Sequence, residues 1–209
     1  MNSPVPKQFL PLAGKPVAMH SMIAFHNAFP EIFLVLVLPG NLFGVWQDLC
    51  QKYAFILPHK LVAGGETRFH SVQNALPALP GEGLVAIHDG ARPLISEILI
   101  RRIFHSAELW GNSVPAVPVT ESIRRISGET SIPVDRNTLR SIQTPQVFKV
   151  EMIRKGYQQD YQPQFTDDAT VLESIGETIH LVDGDPSNIK ITNPCDLAMA
   201  EILLIQASS

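Results

Sequence analysis

Cysteine is almost absent from this chain. Cys50 and Cys195 stand far apart among 209 residues and match no CxxC or Cys/His ligand spacing, which excludes a disulfide framework or a zinc site as the organising device. Long apolar runs are missing too: none reaches the roughly 18 residues of a membrane span. The apolar stretch at residues 32–38 lies too far inside the chain for a signal core and has no basic region before it. Nothing argues for export or for a membrane partner, and the cytoplasm is the expected location. Excess positive charge is also lacking. Lys and Arg number 16 against 20 Asp and Glu, a formal net charge of -4, so no overall field draws the chain onto a nucleic acid. An anionic ligand must be held by a local basic cluster.

What is present is the composition of a globular protein, 45% hydrophobic and 17% charged. The length suits a single α/β domain over residues 1–209 and is short for two of ordinary size. Apolar, β-rich runs at 32–38, 60–63, 84–88 and 113–117 alternate with helical patterns at 17–28, 42–53, 68–76 and 96–109. The runs FLVLVL and LVAI show no in/out alternation, which suits strands covered by helices on both faces. The fold class that follows is α/β, with a Rossmann-like, mostly parallel sheet. After Pro118 the pattern turns polar and β-branched around Ser127-Gly128, predicting a projecting β-arm over about 119–144. Isolated two-stranded ribbons are marginal in water, so the arm is expected to pack against a second copy as a homodimer. A helix at 167–175, a strand at 179–182 and a closing helix at 194–205 complete the reading.

Four clusters could carry chemistry. IHDGARP directly follows the strand at 84–88. Ligands of open α/β sheets bind beyond the carboxyl ends of strands, so Asp89 and Arg92 would sit at the rim, one suited to a hard cation and the other to phosphate; turn chemistry explains the same residues. In AGGETRFHSV, Gly64 and Gly65 allow close backbone approach and the next helix offers free N–H groups. The segment lacks the spacing and the lysine of a P-loop, and Arg68 and His70 read as solvated helix-face residues. Lys7 stands in the proline-bounded turn PKQFLPLAGKP. Lys190 lies between Ile189 and Ile191 and would point opposite to them in an extended segment, either toward an anion or simply into water.

Taken in order, PKQFLPLAGKP, GGETRFHSV, IHDGARP, VDRNTL, TPQVF, TDDATVLE and NIKIT resemble the 2-C-methyl-D-erythritol 4-phosphate cytidylyltransferases along nearly the whole chain. The resemblance implies a Rossmann-like sheet with a dimerising arm and transfer of CMP from CTP to methylerythritol phosphate, with pyrophosphate released. It implies that Lys7 meets the CTP phosphates, that Gly64, Gly65, Glu66 and Ser71 hold cytosine and ribose, and that Asp89 helps position Mg2+. Arg92, Ser122, Thr144, Thr166 and Lys190 would surround the methylerythritol phosphate, with Arg136 reaching into the partner's site. Glu121-Ser122 stands where the family pattern has aspartate and threonine, which keeps the hydroxyl. A strand and a glycine-rich loop ending in Arg-Met precede the Pro-Lys-Gln segment in the family. Here the sequence reads Met1-Asn2-Ser3-Pro4-Val5-Pro6-Lys7, so the expectation is a native start further upstream and a sheet interrupted at its middle. The rival readings are a ribitol 5-phosphate cytidylyltransferase and a non-catalytic nucleotide-binding scaffold.

Overall fold

The computed structural model describes residues 6–207. The chain enters through a tight turn at Lys7–Phe9 and a short ribbon, β1 (Pro11–Leu12) and β2 (Lys15–Pro16). It then alternates through α1 (Val17–Ala28), β3 (Val35–Leu38), α2 (Phe43–Lys52), β4 (Lys60–Ala63), α3 (Arg68–Ala75), β5 (Leu84–Ile87), α4 (Glu97–Trp110) and β6 (Asn112–Pro118). The exposed hairpin β7 (Ile123–Ser127) and β8 (Thr130–Val134) follows, and then β9 (Arg140–Ile142), β10 (Gln146–Lys149), α5 (Val150–Gly156), α6 (Asp168–Glu173), β11 (Leu181–Asp183) and α7 (Pro194–Ala207). No helix among the described residues is long and apolar enough to cross a membrane.

The main sheet runs β11-β6-β10-β5, with β9 also on β6. β10 is antiparallel to both β5 and β6, while β11 is parallel to β6, so β5, β6 and β11 share one direction with β10 reversed between them. Alternation along β10 shows how helices cover both faces. Val147 packs with Phe25 of α1 and with Leu99, Ile100 and Ile103 of α4, whereas Phe148 packs with Phe69 of α3, Ile153 of α5 and Leu172 of α6. β5 divides in the same way, Leu84 and Ala86 toward the first group and Val85 and Ile87 toward the second. α4 illustrates the local logic: Ser96 caps it by accepting the Leu99 N–H at 3.2 Å, and Gly111, at φ 85°, ends it in the left-handed region open to glycine.

The interruption expected at the middle of the sheet is present. Among the described residues, β3 ladders only with β4, and β5 only with β10. α1 straddles both pieces, with Met19 and Met22 packing in the cluster that holds Leu36 and Leu38, and Phe25 in the one that holds Leu84 and Ala86. The reading of these strands as fully buried needs correction: apart from Leu38 their side chains are only partly covered, because each strand has one unpaired edge. Other differences are local. The strand expected at 32–38 begins at Val35, the one at 179–182 is Leu181–Asp183, and the arm rejoins the body early, since β9 pairs with Ala116–Pro118 of β6. The segment TPQVF, read only as a motif, forms the reversed central strand.

Phe148 is fully buried between strands and helices. Phe148→Ala should cost about 3–5 kcal/mol of unfolding free energy, to be read from the denaturation midpoint; a shift worth under about 1 kcal/mol would mean that the core on this face is not closed.

Candidate active site

The carboxyl end of β5 delivers His88 and Asp89 into a turn closed by the Arg92 N–H donating to the Asp89 carbonyl at 3.0 Å. Two further segments are pinned to that turn. The Ile191 N–H donates to the Ala91 carbonyl at 2.8 Å, and Ile191 is buried with Leu12 and Val17. Gly90 lies so close to the Lys7–Phe9 turn that a Cβ there would sit 3.8 Å from the Cβ of Gln8. The proline-bounded segment, the aspartate turn and the Lys190 segment, separate in sequence, thus meet at one rim.

Asp89 is the hub. Its Oδ2 lies 2.7 Å from Lys190 Nζ and 3.9 Å from Arg92 Nε, and its Oδ1 lies 3.5 Å from Arg68 Nε. Burial alone would raise the Asp89 pKa, but the hydrogen bond and charge of Lys190, together with the charge of Arg68, hold it below the usual carboxylate range. Arg92 is lowered by burial, against which the charge of Asp89 acts. Its Nη1 donates to the Asn188 carbonyl at 2.8 Å, and the buried Asn188 amide donates in turn to the Thr144 carbonyl at 2.9 Å. Residues 187–192 join no sheet, so the strand geometry expected for Lys190 is not formed; Ile191 is buried, and the half-exposed Lys190 pairs with Asp89.

Thr144 is buried and accepts the Asp89 N–H at 3.0 Å. Its hydroxyl lies 3.2 Å from His88 Nδ1, and His88 Nε2 lies 3.0 Å from the Arg92 carbonyl. A carbonyl only accepts, so the imidazole carries its proton on Nε2 and Nδ1 accepts from Thr144. Burial brings the pKa of His88 down to about 4, which keeps this relay neutral.

The loop before α3 is set by short-range bonds. Thr67 caps the helix by accepting the His70 N–H at 3.4 Å, and Ser71 Oγ accepts the Gly65 N–H at 3.1 Å while donating to the Thr67 carbonyl at 2.9 Å. A Cβ on Gly65 would lie 2.4 Å from the His70 Cβ and 3.0 Å from its carbonyl carbon, so no other residue fits the loop as folded. Gly64 is partly covered, and Glu66 is exposed at the loop's outer edge.

Arg68 overturns its reading as a solvated residue. It donates through both terminal nitrogens to the carboxylate of Asp168, Nη1 to Oδ1 at 3.0 Å and Nη2 to Oδ2, besides facing Asp89. Asp168 is fully buried and also accepts from the Tyr157 hydroxyl at 2.6 Å. Sequence reasoning missed Asp168, Tyr157, Asn188 and His88. The acid pair in TDDATVLE was the available signal: Asp167 caps α6, accepting the Thr170 N–H at 3.0 Å, which leaves the next carboxylate free for another partner. Thr166, just before that cap, is exposed. Ser122 and Arg136 lie on the exposed arm, where Arg136 donates to the Thr120 carbonyl. No hydrogen bond or ion pair among the described residues joins either of them to Asp89, Arg92 or Lys190.

As a metal site the cluster offers one carboxylate at the rim, and no group of three or more His, Cys, Asp or Glu positioned to hold an ion occurs among the described residues. Mg2+ is commonly held by one or two carboxylates with substrate phosphates supplying the rest. Asp89 fits that arrangement in the company of a phosphorylated ligand, and does not form a cage alone.

The family profile described as IspD, 2-C-methyl-D-erythritol 4-phosphate cytidylyltransferase, matches residues 1–206. The chain belongs to this cytidylyltransferase family. The enzyme of that name from Porphyromonas gingivalis is 46% identical over 98% of this chain and 91% of its own length, and that from Phocaeicola vulgatus is 44% identical over 98% and 93%. Among solved structures, the cytidylyltransferase of Thermus thermophilus superposes with a TM-score of 0.80 at 30% identity, covering 95% of this chain and 94% of that one. A structure titled 4-diphosphocytidyl-2C-methyl-D-erythritol synthase gives a TM-score of 0.82 at 28% identity, with the same coverage. Membership of this cytidylyltransferase family agrees with a Rossmann-like α/β fold whose cationic rim lies at the carboxyl end of β5.

Two imidazoles make stability depend on pH. Burial lowers the pKa of His88 to about 4 and shifts that of His20 in the same direction. Below the ordinary 6.5 of an unfolded histidine, the unfolded chain therefore binds more protons than the native one. Stability is fully present above that value and declines as pH falls toward the folded pKa, by at most about 1.4 kcal/mol per pH unit for His88. Urea midpoints at about pH 7 and about pH 5 should show this decline in the wild type and a shallower one in His88→Gln; equal slopes would remove His88 from the account.

Proposed function

We propose that this chain transfers the cytidylyl group of CTP to 2-C-methyl-D-erythritol 4-phosphate and releases pyrophosphate, a step of isoprenoid biosynthesis. Family membership over nearly its whole length supports the reaction. The observation that carries it is the rim itself, where Lys190, Arg92 and Arg68 surround Asp89. The cations there outnumber the carboxylates of Asp89 and Asp168, leaving net positive charge for phosphate. A phosphate monoester is already largely dianionic at neutral pH, so the acceptor needs no general base. Its oxygen attacks the α-phosphorus of CTP in line, the bond from that phosphorus to the bridging oxygen breaks, and the electron pair leaves on pyrophosphate.

The protein's work is to bring two polyanions together and offset the charge that grows between them. Lys7, next to the Gln8 that approaches the aspartate turn, and Lys190, paired with Asp89, do so. Gly64, Gly65, Glu66 and Ser71 hold cytosine and ribose. Arg92, Ser122, Thr144 and Thr166 receive the acceptor phosphate and its hydroxyls. Lys190, now paired with Asp89, exchanges that carboxylate for phosphate when substrate arrives. Asp89 would hold Mg2+ together with substrate phosphates, and the ion would supply positive charge against theirs. Arg136, exposed on the arm, serves the site of a second copy, so the working unit is a homodimer. The cytoplasm is its location. The ribitol 5-phosphate reading has less support, since the relatives reported above carry methylerythritol names; a scaffold has no use for charges gathered on one turn.

Lys190→Ala should lower kcat about 100- to 1,000-fold, the usual cost of removing one group that stabilises transition-state charge, measured as pyrophosphate release. Arg136→Ala should be similarly impaired. Co-expressed, the two variants should regain activity, because in a mixed dimer one site carries both defects and the other carries neither. No recovery in purified mixed dimers would refute the loan of Arg136 between subunits.

A further inference from the structure

We propose that Arg68 is a positioning residue of the reaction: anchored on the buried Asp168, it fixes the Asp89 carboxylate so that Lys190 and Arg92 can engage phosphate without the turn collapsing onto them. The inference rests on the proposed cytidylyl transfer and gives Arg68 and Asp168 a role beyond their charge at the rim.

The guanidinium occupies a junction. Arg68 is the first residue of α3 and is held by the Thr67 cap and the Ser71 bonds of the loop before it. Its terminal nitrogens form a fork on Asp168, whose side chain is wholly buried, and its Nε faces Oδ1 of Asp89 at 3.5 Å. Asp168 is the first residue of α6, fixed through the capping box of Asp167 with Thr170 and through Gln146, which donates to Asp167 Oδ2 at 2.8 Å and accepts the Ala169 N–H at 2.9 Å. A third group, the Tyr157 hydroxyl, closes on Asp168 Oδ1 at 2.6 Å. One side chain thereby connects the nucleotide loop, the aspartate turn and the segment that begins at Thr166.

A buried ion pair by itself is weak evidence for anything beyond packing, because desolvation offsets much of its Coulomb gain. What argues for more is how the contacts are shared. Arg68 gives its bidentate face to Asp168 and its Nε to Asp89, so the two oxygens of Asp89 are divided: Oδ1 toward Arg68, Oδ2 toward Lys190 and Arg92. When phosphate draws Lys190 away, Arg68 still restrains Asp89. A lysine in its place could neutralise one carboxylate but could not present a planar fork to Asp168 and a further N–H to Asp89.

The test uses the purified full chain with CTP, methylerythritol phosphate and magnesium. Wild type, Arg68→Lys, Asp168→Asn and the double variant are compared, each checked for folding by its thermal transition. Loss of positioning should lower kcat about 10- to 100-fold in each single variant, with KM for CTP changed no more than about twofold, since Thr67 and Ser71 still set the loop. The double variant should fall no further than the worse single one, as for residues acting as one unit. Wild-type kcat in folded Arg68→Lys, a loss carried wholly by KM for CTP, or additive losses in the double variant would each overturn the proposal. Should the charge variants fail to fold, Tyr157→Phe replaces them. It removes one bond from Asp168 and should lower kcat several-fold at unchanged KM for CTP, and an unaltered kcat there also overturns the idea. A wild-type chain that releases no pyrophosphate defeats the cytidylyl-transfer reading itself, a result distinct from any pattern among the variants.

Discussion

The carboxylate of Asp89 is the point on which the site depends. An aspartate at the end of a strand usually turns to solvent, yet here Lys190, Arg92 and Arg68 converge on it from segments far apart in the sequence. Without a central anion these cations would repel one another across a few ångströms of partly dry protein, and the turn could not close. With it they gather on one turn. In the proposed reaction a polyanionic ligand would find these cations already together and would compete with one carboxylate for Lys190. That competition is favourable because a phosphate brings more charge and more acceptor oxygens than the carboxylate it displaces.

Holding the backbone of that turn in place falls to neutral groups. The Asp89 N–H is received by Thr144, Thr144 donates to His88, and His88 donates to the Arg92 carbonyl. Every member has its partner, and burial keeps the imidazole uncharged. An additional cation here would compete with Lys190 for Asp89. The structure instead uses a relay of hydrogen bonds whose strength does not depend on salt, with the cations beside it at the rim.

Much of this was legible in the sequence where local rules apply. The helix at 17–28 was bounded as found, and the Ser96 cap and the Gly111 stop of α4 follow from residue type. Asp89 and Arg92 were placed at a strand end by topology alone. What escaped was of another kind. Arg68 looks like any charged residue on a short helix, and nothing nearby in sequence reveals that its partner lies 100 residues away in TDDATVLE. Asp168 stood beside Asp167, and local sequence does not say which of the two carboxylates caps α6 and which turns inward. β10 was not read as a strand, since TPQVF entered only as a motif and residues buried on both faces need show no alternation.

The arm presents the opposite case, being easy to read and hard to understand in isolation. β7 and β8 pair with each other and with nothing else among the described residues, and Ile126 and Ile132 are 72% and 52% exposed. A ribbon of that kind is marginally stable in water, so its apolar side chains call for cover. The body of the same chain does not provide it, because β9 has already rejoined β6 at the arm's base. A second copy can cover the ribbon and receive Arg136 in one act. Under the proposed homodimer the apolar contact and the contribution of Arg136 would share a single interface, so that a copy binding its twin would also complete its twin's site.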